Sequence, residues 1–295
     1  MTAAGRQHEA GSPIKCFIVP NPFFRSKSIL ITGASSGIGE ELAVQLAAAG
    51  AHLTLTARRR ELLDALARRI AAAGYETPVV VPADVTRDGD LDDAVNQAVR
   101  AYGKLDIAVA NAGFGIVGAF SRLTVDDYRR QFETNVFGVL RTLYAALPEV
   151  KKARGNLVII GSVAGWAATP GSSPYGMSKF AVRALANAIT PELAMDGVTV
   201  TLISPGFVDS NIRRIDNIGT LRPEAKDPVP GWLVMPTPTA VRQMLKAVAR
   251  GKAEAVITGH GKVLVLIERF APWIMRAAGR RMAATRGGYR TEPTS

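Results

Sequence analysis

The chain has 295 residues, of which 47% are hydrophobic and 21% are charged, and its formal net charge is +11. This composition predicts a globular protein with one large core, and the single cysteine, Cys16, excludes an intramolecular disulfide and a cysteine-built metal site. No apolar run approaches the ~20 residues of a membrane-spanning helix and no signal-peptide pattern is present, so we expect a cytoplasmic protein.

The order of predicted elements indicates an α/β fold. We expect residues 1–26 to form a mobile extension, because glycine, proline and asparagine are scattered through them. Beyond them, apolar runs that predict buried strands lie at 28–32, 52–57, 77–83, 105–110, 155–162 and 198–204. Helical patterns lie between them at 39–49, 61–73, 89–102, 126–152 and 174–195. This alternation predicts a doubly wound parallel sheet of the Rossmann type, in one domain over residues 27–260.

Three glycines, Gly33, Gly37 and Gly39, lie between the first strand and the first helix. Glycines there let a phosphate approach the backbone, and the helix N-terminus then favours the anion. The spacing G-x-x-x-G-x-G differs from the usual dinucleotide fingerprint, and no Lys-Ser/Thr pair follows as in a Walker A loop. The motif by itself leaves an ordinary strand-to-helix turn as the alternative.

The end of the second strand indicates which dinucleotide is bound. A protein that binds NAD places an acid about 20 residues after the glycines, where it contacts the adenine ribose. Here that place falls near Ala57, and Arg58, Arg59 and Arg60 follow it. The arginines suit a 2′-phosphate, so NADP(H) is favoured over NAD, although Arg60 is expected to belong to a solvated helix face.

A candidate reaction centre is formed by Tyr175 and Lys179, which lie four residues apart on one helical face. A phenol has a pKa near 10, and a nearby ammonium and a positive nicotinamide ring would lower that pKa into the working range. Ser162 ends a predicted strand, where open α/β sheets bind ligands. No histidine supports a serine-hydrolase interpretation, since His8, His52 and His260 lie far from this region of the sequence.

Several short motifs follow one another in a fixed order. They are Thr32–Gly39, Asp84 with Val85, Asn111-Ala112-Gly113, Asn135, Ser162 with Tyr175 and Lys179, and Pro205-Gly206-Phe207-Val208. Through these motifs, residues 27–210 resemble the short-chain dehydrogenase/reductase family. The chain departs from the family pattern at Ala110 and Ser210, where many members carry asparagine and threonine, and at Pro191, which is expected to bend the end of the helix that carries Tyr175.

The resemblance implies a mechanism of hydride transfer with four catalytic residues. Tyr175 would exchange a proton with the substrate oxygen, Ser162 would orient that oxygen, Lys179 would hold the nicotinamide ribose, and Asn135 would keep a water in line with Lys179. The residues expected at the cofactor are Gly33, Ser35, Ser36, Gly37, Ile38, Gly39, Arg58, Arg59, Asp84, Val85, Asn111, Ala112, Gly113, Tyr175, Lys179, Pro205, Gly206 and Val208.

Substrate specificity is expected from two irregular segments, residues 163–173 and 206–237. Long loops in compact domains usually bind ligands, and both segments carry large apolar side chains. We expect Ser162, Tyr175, Trp166 and Phe207 to contact the substrate, with Leu221, Trp232, Leu233 and Met235 also nearby. The substrate is therefore predicted to be a small apolar carbonyl compound or alcohol, such as a steroid, a fatty or isoprenoid alcohol or a xenobiotic ketone.

The C-terminal segment, residues 261–295, forms a basic amphipathic extension. From residue 262 it has seven basic residues and two acids, and Arg269, Arg276 and Arg280 would share one helical stripe. Such a helix favours peripheral contact with an anionic membrane, and the alternative is a helix packed over the cleft or a subunit neighbour. No motif for nucleic-acid binding accompanies the charge.

These features predict an NADP(H)-dependent oxidoreductase that interconverts a carbonyl and an alcohol. Two other functions stay open at the level of the sequence: a catalytically idle NADP-binding scaffold, and an epimerase or dehydratase on the same fold. The resemblance also implies a homodimer or homotetramer. No metal ion is expected at the site.

Overall fold

The computed structural model describes residues 21–214, 216, 217, 222 and 229–285. Seven strands form one sheet in the order β3-β2-β1-β4-β5-β6-β7, and every neighbouring pair is parallel. The strands are β1 (Ser28–Thr32), β2 (His52–Ala57), β3 (Val79–Pro82), β4 (Ile107–Ala110), β5 (Asn156–Ile160), β6 (Thr199–Ser204) and β7 (Glu254–Val256). The predicted doubly wound Rossmann-type sheet is confirmed.

Helices cover both faces of the sheet. They are α1 (Gly37–Ala48), α2 (Arg60–Ala72), α3 (Asp90–Tyr102), α4 (Val125–Phe132), α5 (Gly138–Lys152), α6 (Ser173–Ala194), α7 (Thr237–Ala249), α8 (Gly259–Phe270) and α9 (Pro272–Thr285). The core is divided between the two faces, with Leu46 and Met244 on one side and Leu143 and Val182 on the other. All five residues of β1 are buried, which is why its sequence is apolar without alternation.

The order in which strands are added to the sheet reverses between β1 and β4. This reversal determines where a ligand can bind. From β1 the chain winds outward through β2 to β3, and it then returns to β4 and continues through β5 and β6 to β7. Helices following β1 and β4 therefore leave on opposite faces, so that a crevice opens at the carboxyl ends of these two strands. The glycine loop after β1 and the Asn111–Gly113 segment after β4 meet there.

The long helix predicted over residues 126–152 is two helices. Helix α4 begins at a capping box between Thr124 and Asp127 and ends at Phe132. A wide π-helical turn, Glu133–Phe137, connects it to α5. The hydrophobic periodicity continues through the turn, so no sequence pattern predicts the break between the two helices. Wide turns of this kind occur often at functional sites, and this one carries Asn135.

The C-terminal segment is also divided, at Ala271. Its backbone angles (φ −140°, ψ 56°) end α8, and Pro272 opens α9, as expected because a residue before proline avoids the helical region. Arg269 therefore lies on a different helix from Arg276 and Arg280, and the single helical stripe predicted from the sequence is wrong. Across the described part of the chain, no helix has the length and apolarity needed to cross a bilayer.

The packed fold begins before residue 27. Asn21 caps a short 3₁₀ turn, Pro22–Phe24, and the Phe24 side chain is buried in the core on the α1 and α7 side of the sheet. The boundary proposed at residue 26 therefore falls inside a packed segment. Residues 1–20 of the proposed extension, and with them His8 and Cys16, lie outside the described residues, as do Leu221 and residues 286–295.

Candidate active site

A cleft of about 460 Å³ opens at the carboxyl ends of the central strands. Its wall contains every residue that the sequence assigned to the cofactor, from Gly33 in the glycine loop to Val208 after β6. Ser162 also lines it, beside Tyr175 and Lys179. The motifs that are scattered over the sequence therefore meet in one cavity at the edge where the strands end.

The glycine loop is held tightly against the segment that follows β4. Gly33 has φ 67°, and a Cβ on it would lie 2.8 Å from the Cα of Ala112. A Cβ on Gly39 would lie 2.6 Å from Nδ2 of Asn111 and would overlap the carbonyl oxygen of Gly33. These two glycines are therefore required by the contact between the two loops, in addition to any contact with a phosphate.

Hydrogen bonds fix the same contact. Oγ1 of Thr32 accepts from the backbone N–H groups of Asn111 (3.0 Å) and Ala112 (3.1 Å). Nδ2 of Asn111 donates to the carbonyl oxygens of Thr32 (2.9 Å) and Gly33 (3.3 Å). The Ser36 side chain makes no capping bond to α1, so the first N–H groups of this helix face the cleft without a side-chain partner from the N-cap. This arrangement suits a phosphate group.

Positive charge lines the end of the cleft beyond β2. Nη2 of Arg59 donates to Oγ of Ser35 at 3.1 Å, so this guanidinium reaches back over the glycine loop. Arg58 also lines the cleft and is exposed. Arg60 instead begins α2 and pairs with Asp64 (3.5 Å) on the outer face of that helix, as the sequence suggested.

Asp84 is held in a turn that follows β3. Its Oδ1 accepts from the backbone N–H (3.0 Å) and the hydroxyl (2.8 Å) of Thr86, and its own N–H donates to Oδ2 of Asp90 (2.8 Å). Val85 packs against Gly138, where a Cβ would lie 2.7 Å from Cγ2 of Val85. Both residues line the cleft together with the glycine loop, and both were expected at the cofactor from the family resemblance.

Ser162, Tyr175 and Lys179 form one wall of the cleft. Ser162 follows β5 and caps a 3₁₀ turn by accepting from the N–H of Ala164 (3.1 Å). Tyr175 and Lys179 lie on successive turns of α6, with Nζ of Lys179 5.7 Å from the centre of the phenol ring. Nζ donates to the carbonyl oxygen of Ile160 (2.9 Å), and only 6% of Lys179 is exposed.

The protonation of Tyr175 differs from the sequence expectation. Burial raises the pKa of the Tyr175 phenol above its usual value, and this effect outweighs a hydrogen bond with Ser162 and the positive charge of Arg213, which both lower the pKa. Lys179 is not among the groups that lower the pKa of the phenol, and burial lowers the pKa of Lys179 itself to about 8. The phenol is thus protonated at neutral pH.

The buried amine of Lys179 makes the stability of the protein depend on pH. An unfolded lysine has its ordinary pKa of 10.5, so below pH 8 the buried charge opposes folding in full, and this opposition disappears as the pH rises from about 8 to 10.5. We expect the Lys179→Met protein to gain stability relative to the wild type at pH 7 and to lose this advantage towards pH 10. Urea unfolding of both proteins across this range measures the effect, and parallel pH curves would refute the assignment.

Asn135 lies beneath the cleft and not in its wall. Its Oδ1 accepts from the N–H of Phe114 (3.1 Å), and its Nδ2 donates to the carbonyl oxygen of Phe114 (3.0 Å) and to Oγ of Ser178 (3.2 Å). Ser178 in turn donates to the carbonyl oxygen of Tyr175 (2.7 Å). Asn135 thereby joins the wide turn to the segment after β4 and to the first turns of α6.

The two apolar residues expected at the substrate lie outside the wall of this cleft. The Trp166 ring packs under the guanidinium of Arg183, whose Cζ lies 3.3 Å from the ring centre. The buried Nε1 of Trp166 has no hydrogen-bond partner among the described residues. Phe207 is 37% exposed and stacks on His260, with ring centres 5.3 Å apart. Neither side chain reaches the 460 Å³ cavity.

His260 holds the loop Pro205–Val208 through a contact that no sequence pattern indicates. Nε2 of His260 accepts from the N–H of Phe207 (3.0 Å) and lies 3.2 Å from Oγ1 of Thr258, while a Cβ at Gly206 would overlap both side chains. Burial lowers the pKa of His260, which keeps Nε2 free to accept at neutral pH. The pair of residues is separated by 53 positions, so only the fold brings them together.

Arg213 and Phe114 are two further residues of the cleft that sequence reasoning missed. Nη1 of Arg213 donates to the carbonyl oxygen of Val208 (3.1 Å), and its charge acts on Tyr175. No local signal marks either residue, since both lie in irregular segments. Within the described ranges, no group of three or more histidine, cysteine, aspartate or glutamate side chains is placed to hold a metal ion.

Comparisons with known proteins identify relatives of this chain. The family model of the short chain dehydrogenases matches residues 27–218. An uncharacterised oxidoreductase of Staphylococcus aureus (strain MRSA252) is 36% identical over 187 residues, which cover 63% of this chain and 80% of that protein. The 11-beta-hydroxysteroid dehydrogenase A of Sesamum indicum is 31% identical over 262 residues, which cover 87% of this chain and 75% of that one.

A solved structure of the same family also superposes on this fold. The crystal structure of a short-chain dehydrogenase/reductase of unknown function from Caenorhabditis elegans, with cofactor, superposes with a TM-score of 0.73 at 25% identity and covers 82% of this chain and 97% of that one. The chain belongs to the short-chain dehydrogenase/reductase family. It is an oxidoreductase of that family, which uses NAD(P) and acts on small carbonyl compounds or alcohols.

Proposed function

We propose that the protein is an NADP(H)-dependent reductase or dehydrogenase that interconverts an apolar carbonyl compound and its alcohol. The observation that carries this proposal is the meeting of Ser162, Tyr175 and Lys179 in the wall of the same cleft that holds the glycine loop and Arg59. A scaffold protein that only binds a nucleotide does not require a buried phenol and a buried amine at the end of the nucleotide cleft. Their presence therefore favours an enzyme over a scaffold.

The residues of the cleft fit a dinucleotide. The glycine loop and the first N–H groups of α1 would hold the pyrophosphate. Asp84 and Val85 would contact the adenine. Asn111–Gly113 would contact the middle of the cofactor. Lys179 would bind its nicotinamide ribose, and the loop Pro205–Val208 would bind its carboxamide. The bound cofactor supplies a hydride to the substrate carbon or accepts one from it.

The protein side chains perform the proton transfer. In the direction of reduction, the Tyr175 hydroxyl donates its proton to the substrate oxygen, and its raised pKa suits this role because the phenol is protonated at neutral pH. Ser162, hydrogen-bonded to Tyr175, would orient the same oxygen. Asn135 positions α6 through Ser178 and thereby the backbone of Tyr175. In the direction of oxidation the deprotonated oxygen of Tyr175 would accept the proton from the substrate hydroxyl.

The preference for NADP(H) rests on Arg58 and Arg59. Arg59 contacts the Ser35 hydroxyl at 3.1 Å, which places a guanidinium beside the ribose end of the glycine loop, and a charged hydrogen bond to a phosphate there is worth on the order of 1.5–3 kcal/mol. We expect Arg59→Ala to weaken NADPH binding roughly tenfold or more while NADH binding stays within about twofold. Calorimetric titration with both cofactors measures this.

The matched control for this test is Arg60→Ala, since Arg60 faces solvent and pairs with Asp64 on α2. It should bind both cofactors as the wild type does. Equal losses for NADPH and NADH in Arg59→Ala, or a wild type that binds NADH as tightly as NADPH, would contradict the preference. Binding of neither cofactor would contradict the proposed function as a whole.

The substrate is proposed to be apolar and larger than a short-chain alcohol. The relative from Sesamum indicum is named as an 11-beta-hydroxysteroid dehydrogenase, and it matches 87% of this chain, beyond the glycine and tyrosine motifs. A screen of hydroxysteroids, isoprenoid alcohols and aromatic ketones by NADPH absorbance tests the proposal. The enzyme is further proposed to be a cytoplasmic homodimer or homotetramer, and peripheral membrane contact through α8 and α9 would bring it close to such substrates.

A further inference from the structure

We propose that α8 and α9 form a docking surface for an anionic lipid bilayer. Five large apolar side chains are exposed among the described residues of these helices, and four of them are more than half exposed: Val263 (55%), Leu266 (55%), Phe270 (75%) and Trp273 (65%). We call these four residues the apolar stripe. Contiguous exposed apolar side chains of this size mark interaction sites on protein surfaces.

The stripe results from the way in which α8 packs on the domain. The inner face of α8 carries Gly261, where a Cβ would lie 2.8 Å from Cγ1 of Val163, and Val265, which is buried. Val263, Leu266 and Phe270 follow at helical spacing on the other side. A surface helix normally turns its apolar face to the core and its polar face to water, whereas α8 presents large apolar side chains outward.

The stripe continues past the break at Ala271. Helix α9 packs beside α8, with Trp273 exposed in its first turn. On its other side α9 approaches the segment after β5, since a Cβ on Gly279 would lie 3.8 Å from Cγ of Pro170. The docking surface therefore adjoins residues 163–173, which lead from Ser162 in the cleft wall to Tyr175.

The charge around the stripe identifies the occupant. Lys262, Arg269, Arg276 and Arg280 are all exposed, and Glu268 is the single acid between Gly259 and Thr285. A basic helix surface with tryptophan and phenylalanine at its centre is the composition that binds the interface of anionic membranes, where the arginines contact phosphates and the aromatic rings enter the headgroup region. The Arg269 guanidinium lies 5.6 Å from the Phe270 ring centre, so a positive charge lies directly beside the aromatic part of the stripe.

Charge also argues against a second copy of this chain as the occupant. A two-fold interface would place the same patch against itself and would bring the basic side chains of both copies together. A bilayer of anionic lipids instead supplies the opposite charge over the whole patch. Delivery of an apolar substrate from that bilayer to the nearby cleft rests on the proposed function, whereas binding to lipid does not.

The test measures binding of the full-length protein to vesicles, without any enzymatic assay. Vesicles of phosphatidylcholine alone and with 30% phosphatidylglycerol are sedimented with the wild type and with Phe270→Ser/Trp273→Ser. We expect at least a tenfold weaker partition to anionic vesicles for the double variant. We also expect weaker binding of the wild type to neutral vesicles and at high salt.

The control is Trp232→Ser, which removes an equally exposed tryptophan (83%) outside α8 and α9 and should leave vesicle binding unchanged. Vesicle binding that is equal in the wild type and the double variant would overturn the proposal. A double variant that loses self-association instead, as measured by light scattering, would assign the stripe to a second copy. NADPH binding of the double variant, measured in parallel, reports folding independently of lipid.

Discussion

Replacing Tyr175 by phenylalanine is expected to lower turnover by about 10²–10⁴-fold while the dissociation constant for NADPH stays within about twofold of the wild type. Phenylalanine keeps the ring, which packs 3.4 Å from the place where a Cβ on Gly115 would lie, and removes only the hydroxyl. The proton that reduction delivers to the substrate oxygen then has to come from water. Single-turnover kinetics with saturating NADPH isolate this chemical step.

Tyr144→Phe is the matched control, because it makes the same chemical change at a tyrosine of α5 that is 72% exposed. It should leave both turnover and cofactor binding unaltered. If Tyr175→Phe turned over within a few-fold of the wild type, the phenol would not be the acid, and an acid/base role would have to be sought elsewhere in the cleft. If it lost NADPH binding too, the substitution would have disturbed the cleft and not only the proton transfer.

Gly39→Ala is expected to abolish tight NADPH binding and to destabilise the fold by on the order of 2 kcal/mol. The added Cβ would overlap the carbonyl oxygen of Gly33 and approach Nδ2 of Asn111 to 2.6 Å. Both are fixed, the first as backbone and the second by bonds to Thr32 and Gly33, so the glycine loop has to move away from the segment after β4. Thermal unfolding and NADPH titration measure the two effects.

Gly231→Ala provides the comparison, since a Cβ there would meet no atom of the described residues within 4 Å. It should unfold at the same temperature as the wild type and bind NADPH equally well. A Gly39→Ala protein that kept wild-type affinity and stability would show that the two loops can separate without cost. The tight contact between them would then not be what shapes the phosphate cradle.

The sheet and most of the cleft could be predicted from the sequence because both depend on local patterns. A strand buried on both faces is apolar throughout, and parallel strands bring the residues after their carboxyl ends to one edge. Gly33 and Asn111 were therefore expected to be close, and they are in contact. Tyr175 and Lys179 were expected on one face of a helix, and their positions follow from helical spacing alone.

The parts that could not be predicted depend on contacts between distant segments. The wide turn at Glu133–Phe137 interrupts a periodic pattern without a proline or glycine to mark it, and Asn135 on it bonds to a segment about 20 residues earlier. Trp166 was expected in the pocket because of its residue type, yet the Arg183 guanidinium covers its ring. Nε of Arg183 in turn donates to Glu254 at 3.3 Å. The raised pKa of Tyr175 likewise follows from burial, which a linear motif does not report.

Helix α8 connects two features that were described separately. His260, in its first turn, holds the loop Pro205–Val208 through the N–H of Phe207, and Phe270, at its last residue, belongs to the apolar stripe, about 15 Å farther along the axis. A helix acts as a rigid rod over such a distance, so a reorientation at one end is transmitted to the other. Lipid and cofactor would then be coupled ligands, and whatever factor the bilayer adds to the affinity for NADPH, NADPH must add to the affinity for the bilayer.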